Sequence, residues 1–194
     1  MISIEQIKKL REETGLSIFE VKKALEDAKG DVKKAKELLR ALGKKVASKK
    51  TDRETTAGLI DSYVHPNSKT GVILDIRCES DFVAKSSDFK NLAHELCLQI
   101  VAMRPLFVKE EDIPEEFLNG ETKIYKEQIK DSGKPENIVK QILEGKLKKY
   151  KQEVSLLSQL WIKDDTKTIK NLIEDTIAKV GENIEVKRFS RFEV

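Results

Sequence analysis

Residues 57–79, AGLIDSYVHPNSKTGVILDIRCE, decide the fold. Two runs rich in Ile, Val, Leu and Tyr flank the turn-forming cluster NSKTG. From Thr56 onward this pattern predicts an antiparallel β-hairpin, with Ile73 and Leu74 expected to anchor its inner face. The chain before it reads as helix. Ser3 with Gln6 forms a capping-box pattern, Ile4, Ile7 and Leu10 recur at helical spacing, and Gly15 offers a left-handed stop. Ser17 with Glu20 repeats the box, Val21, Leu25 and Ala28 continue the apolar face, and Gly30 closes it. Asp31 then caps a third helix carrying Val32, Ala35, Leu38, Leu39 and Leu42 before Gly43. Residues 1–43 are expected to form three helices around one small core.

Residues 44–55 carry five Lys/Arg and few apolar groups, and are read as a basic linker; a solvated extension of the third helix is the alternative. Beyond the hairpin, SDFVAK (80–85) opens a helical stretch, and Asp88 can cap the helix FKNLAHELCLQIVAM (89–103), which ends near Pro105. PEEFLNGETKIYKEQIKDSG (114–133) and PENIVKQILEGKLKKYKQEV (135–154) each begin with Pro and read as long charged helices able to pack as a hairpin. SLLSQLWIKDD (155–165) reads as a short extended segment, DTKTIKNLIEDTIAKVG (165–181) as a capped helix, and IEVKRFSRFEV (184–194) as a closing strand with alternating sides. Strands with segregated helices give an α+β fold, whose core spans residues 56–194.

The 194 residues suffice for a compact domain plus a small module. The composition, 39% hydrophobic and 37% charged, describes a folded chain with a strongly charged surface. Residues 1–55 hold 15 Lys/Arg against 10 Asp/Glu, whereas the remainder holds 22 against 24. That modest bias, with only 6% aromatics, does not make the footprint of a nucleic-acid binder. Cys78 and Cys97 lie in apolar runs without CxxC spacing, as reduced structural thiols would, and no zinc or other metal site is expected. The start, MISIEQIKKLREE, has no apolar signal stretch, and no run approaches the ~18 apolar residues of a membrane span. A cytoplasmic location with no membrane contact is expected.

Reaction chemistry is poorly represented. GxxxxGK[ST], GxGxxG and HExxH are all missing, so nucleotide cradling and zinc hydrolysis have no support, and no cofactor is expected. The two histidines are His65, beside a turn proline, and His94, in an expected helix. A Cys78–His94 nucleophile pair is the one enzymatic arrangement on offer, and neither residue has a reactive context. The chain is read as a non-enzyme with no catalytic residues.

LREETGLSIFEVKKALEDAKGD (10–31) resembles the opening of the elongation factor Ts family: Leu-Arg-x-x-Thr-Gly, a Lys pair, Ala-Leu and Gly-Asp. ESDFVAKSSDF (79–89) resembles the family's Thr-Asp-Phe-Val-Ala-Lys segment, directly after a strand reading LDIRC. SGKPENIVKQILEGKLKKYKQEVSLLSQLWIKDD (132–165) is similar to a third block, and KVGENIEVKRFSRFEV (179–194) to the C-terminal strand. Two departures stand out: Ser80 replaces the usual Thr, keeping an N-cap hydroxyl, and Leu160-Trp161 replaces the usual Pro-Phe, altering local packing. Longer members carry two related core halves, whereas this chain has sequence for one.

The resemblance implies a guanine-nucleotide exchange factor for the GTPase elongation factor Tu. A ubiquitin-associated-like three-helix module would grip the GTPase domain through Ile18 and Phe19, with Arg11, Thr14 and Gly15 setting the preceding turn. Ser80, Asp81, Phe82, Val83, Ala84 and Lys85, with Gln99, would face the nucleotide site, Phe82 acting as a wedge that disturbs Mg²⁺ and the phosphates. As in shorter members, two copies would pair through their sheets. The residues alone leave blander readings open: Phe82 and Phe19 as core packing, Asp81 as a first-turn helix acid, Lys85 as solvated surface, Gln99 as an ordinary helix amide. Two other functions compete, a nascent-chain or ubiquitin-like binding module and a ribosome-associated RNA binder using Lys44–Arg53.

Overall fold

The computed structural model describes residues 2–130 and 135–194. Helices α1 (Ile4–Thr14), α2 (Ile18–Asp27) and α3 (Val32–Ser48) come first, followed by strands β1 (Ala57–Val64) and β2 (Thr70–Cys78). Helices α4 (Asp81–Lys85), α5 (Ser87–Met103), α6 (Glu115–Ile129) and α7 (Glu136–Val154) follow. Strands β3 (Leu160–Trp161) and β4 (Asp164–Thr168), helix α8 (Ile169–Val180) and strand β5 (Ile184–Glu193) complete an α+β fold.

The first three helices start where their caps dictate. Ser3 with Gln6 and Ser17 with Glu20 each form both bonds of a capping box, and the Asp31 carboxylate accepts from the Lys33 and Lys34 amides. Leu10, Leu16, Val21, Leu25, Ala35 and Leu39 bury into one small core. Gly43, however, does not end α3. The helix continues through Ser48 and takes in the first residues of the stretch read as linker. A glycine inside a helix costs about 1 kcal/mol, and Gly43 faces α8, where a Cβ would lie in ordinary contact, 3.5 Å from Ala178 Cβ. One turn later Ala47 enters the main core, and that burial holds the extra turn in place.

The main sheet runs β1-β2-β5, antiparallel throughout. Val72, Leu74, Ile76 and Cys78 point inward against α4 and α5, in the same core as Ile169, Ile173 and Ile177 of α8. Ile73 does not join them. Successive strand residues face opposite sides, so burying Leu74 turns Ile73 outward, where it is exposed. Ser86, rather than Asp88, caps α5: its Oγ accepts from the Phe89 amide, which leaves Asp88 in the first turn.

Pro114 and Pro135 precede α6 and α7, and Lys146 of α7 reaches Gln128 of α6 and lies over the Tyr125 ring. The reading of helix through Gly133 lies partly outside the described residues, since α6 ends at Ile129. Residues 155–165 hold a short 3-10 turn at Leu156–Ser158 as well as extended chain. Helix α8 begins later than read. Asp164–Thr168 pair with β3, as β-branched Thr166 and Thr168 suit a strand, and the Thr168 hydroxyl caps α8 by accepting from the Asn171 amide.

Candidate functional site

The segment 80–85 forms α4, a helix too short to stand alone because nucleating a first turn is unfavourable. It is held from two sides. Val83 and Ala84 bury into the core under β1, β2 and α5. At its start, extended Ser80 accepts from the Val83 amide through Oγ, at 3.4 Å. Ser80 also donates its own N–H and O–H to the Glu182 carboxylate, at 2.9 and 2.6 Å. At its end, the Ser86 hydroxyl donates to the Val83 carbonyl at 2.7 Å.

With Val83 and Ala84 turned inward, Phe82 turns out and is 85% exposed. Burying such a side chain would be worth about 1.5–3 kcal/mol, and the fold leaves that unrealised. Asp81 and Lys85 are exposed beside it, at the helix ends where the dipole favours each charge. The segment thus offers a rigidly based aromatic ring flanked by an acid and a base. Ser80, Val83 and Ala84 support it from beneath.

Gln99 requires correction as a partner-facing residue. It is fully buried, and its amide is committed: Nε2 donates to Gln159 Oε1 (3.1 Å) and the Leu160 carbonyl (3.0 Å), while Oε1 accepts from the Ile162 amide (3.0 Å). A buried amide must be paired, and these bonds fasten the β3–β4 region onto α5. In that region Trp161 packs against the main core and Leu160 is exposed.

In the N-terminal module, Thr14 Oγ1 donates to the Leu10 carbonyl (2.6 Å), and Gly15 takes φ +68° with its N–H on the Arg11 carbonyl (2.8 Å). Leu16 and Val21 fill the interior, leaving Ile18 and Phe19 56% and 74% exposed on the first turn of α2. Arg11 is exposed, on the last turn of α1. Gly15 has a further duty: a Cβ there would come within 2.5 Å of Lys179 Cα on α8. Lys179 in turn pairs with Asp88 on α5 at 2.5 Å. The C-terminal end of α8 therefore touches both the turn before Ile18 and the helix that follows α4. Glu182 is the residue sequence reasoning missed; the only signal was its place in KVGENI, read solely as the approach to a strand.

The cysteines are enclosed. Cys78 Sγ donates to the Ser80 carbonyl (3.2 Å), and burial, reinforced by the Glu182 charge, raises its thiol above the ordinary range. Burial pushes Cys97 up to about 12. His94 is exposed and meets the Tyr63 ring edge-on, with centroids 5.8 Å apart. Among the described residues, no group of three or more His, Cys, Asp or Glu could hold a metal ion, and no helix is long and apolar enough to cross a membrane.

Residues 5–194 match the protein family described as Elongation factor TS. Elongation factor Ts of Thermotoga petrophila is 53% identical over 193 residues, covering all of this chain and 96% of that protein. The proteins of the same name from Herpetosiphon aurantiacus and Thermosipho melanesiensis are 48% and 47% identical, again over the whole chain and 98% and 99% of theirs. A match of this extent, running from the capped N-terminal helices through the Phe82 segment to the last strand, leaves one conclusion: the chain belongs to the elongation factor Ts family.

Proposed function

We propose that this protein is a guanine-nucleotide exchange factor for elongation factor Tu, and that it works by binding alone. The observation that carries the reading is Phe82, a large apolar side chain held almost fully in solvent on a helix anchored at both ends. An exposed aromatic on a fixed base is suited to insertion into a partner. Inserted between elements of Tu that hold Mg²⁺, it would displace the ion and weaken the hold on the GDP β-phosphate. Asp81 would hydrogen-bond the partner's loops, and Lys85 would border the contact. The three-helix module, taken as ubiquitin-associated-like, would supply the second grip through Ile18 and Phe19. The α6–α7 pair is taken as a helical hairpin.

No bond is made or broken in this scheme, so the protein is not an enzyme and uses no cofactor. It acts in the cytoplasm, without direct contact to nucleic acid or membrane. The outer sheet face supports a homodimer, because Ile60, Val64, Ile73 and Phe192 are all exposed there across three strands.

Exchange by binding imposes a reciprocity: if this protein weakens GDP on Tu by some factor, GDP must weaken this protein on Tu by the same factor. Titrating Tu with the chain, nucleotide-free and with saturating GDP, should therefore give a much weaker complex when GDP is present. Equal affinity in the two titrations contradicts exchange by differential binding.

A further inference from the structure

We propose that Glu182 is the positioning residue of the Phe82 helix, fixing the direction in which the ring is presented. The structural part stands independently; its effect on GDP release rests on the exchange reading above.

The last backbone pair between β2 and β5 at this end is Cys78 with Ile184. Beyond it, side chains continue the connection. Glu79 Oε1 accepts the Asn183 N–H at 2.6 Å, and Glu182, from the opposite side, accepts the Ser80 N–H and O–H at 2.9 and 2.6 Å. Two carboxylates thus cross between the strand ends in opposite directions. Bonds of this kind, with an ionised acceptor, are short and roughly twice as strong as neutral ones.

Helix α4 needs such a tether. Burial of Val83 and Ala84 holds it against the core, but apolar contact is non-directional and does not by itself fix the helix's rotation. Ser80 fixes it, because Ser80 is both the cap of α4 and the residue that Glu182 grips. The chain on either side of Glu182 is hydrogen-bonded in place. Before it, Gly181 turns the chain at φ +80° and its carbonyl accepts from Lys50. After it, buried Asn183 donates through Nδ2 to the Thr51 and Arg53 carbonyls, at 3.2 and 2.8 Å. The carboxylate is thus presented to Ser80 from a corner fastened on both flanks.

The test uses the full chain carrying Glu182→Ala or Glu182→Gln, each also combined with Phe82→Ala. Three readouts apply: amide hydrogen exchange at Val83 and Ala84, thermal unfolding, and release of a fluorescent GDP analogue from Tu. In Glu182→Ala, loss of two charge-assisted bonds should cut protection at those amides by about tenfold or more. GDP-release acceleration should fall about tenfold with Phe82 present and show no further fall with Phe82→Ala. Glu182→Gln, whose single carbonyl oxygen accepts only one of the two Ser80 donors while its NH2 meets the other, should fall between the native chain and Glu182→Ala in both protection and acceleration. Unchanged amide protection in Glu182→Ala overturns the proposal, as does an equal loss of acceleration in both backgrounds. If the unaltered chain does not accelerate release, the exchange reading falls, and protection at Val83 and Ala84 alone then decides whether Glu182 positions α4.

Discussion

Alanine at Gly15 and alanine at Gly30 are matched perturbations that differ in one contact. Both glycines have left-handed backbones, φ +68° and +84°, so alanine at either site costs about 1–2 kcal/mol in conformational strain. At Gly30 nothing lies within 4 Å of the added methyl. At Gly15 the methyl would lie 2.5 Å from Lys179 Cα, a backbone atom that cannot rotate away. Relieving it means shifting the α1–α2 turn off α8, an overpacking that typically costs about 1–3 kcal/mol more. Gly15→Ala should therefore destabilise by about 2–5 kcal/mol and Gly30→Ala by about 1–2 kcal/mol. Urea unfolding with comparable slopes reads this difference directly as a lower midpoint for Gly15→Ala. Equal losses would refute the claim that Gly15 docks the module onto α8.

Two further perturbations address the sheet. Arg77, gripping Asp75 at 2.7 and 3.1 Å and aided by Arg188, holds the Asp75 carboxyl below its ordinary value of 3.8. A depressed carboxyl contributes stability that is complete above that value and is lost as pH falls through the lower folded-state one. The advantage of the native chain over Asp75→Asn should accordingly shrink in acid below that point, and a gap in urea midpoint that persists unchanged through strong acid contradicts this. Ile73→Lys places a charge in the middle of the outer sheet face, so sedimentation should show a dimer for the native chain and a monomer for the variant; the same mass for both contradicts pairing through this face.

Many local signals were legible where the deciding partner lay within a turn, although the Ser86 cap of α5 and the Thr168 cap of α8, each only three residues from its partner, were misplaced. The two capping boxes, the Asp31 cap and the Gly15 stop all involve residues no more than four apart, and the β-rich runs on either side of NSKTG mark the β1–β2 hairpin. The other misreadings involve distant partners or a missed period. Gly43 looks like a stop until Ala47, one turn on, is seen to bury in the main core beside residues far along the chain. Gln99 looks like a surface amide until the segment some sixty residues on folds back to take all its bonds. Ile73 was a slip of period, since two neighbours in a strand cannot share a face. At the candidate site the exposed ring could be suspected from SDFVAK, whereas Glu182, 102 residues beyond Ser80, has no local signature.

The central claim is that this chain speeds GDP release from elongation factor Tu and that Phe82 does so directly. The decisive measurement is stopped-flow release of a fluorescent GDP analogue from Tu, with the native chain and with Phe82→Ala. Because Phe82 is 85% exposed, its replacement should alter folding stability by no more than about 0.5 kcal/mol, so any loss reports on the partner. The account predicts clear acceleration by the native chain and its near disappearance in a variant that unfolds at the same temperature. Release no faster than from Tu alone would contradict the exchange function, and full acceleration by Phe82→Ala would contradict the wedge.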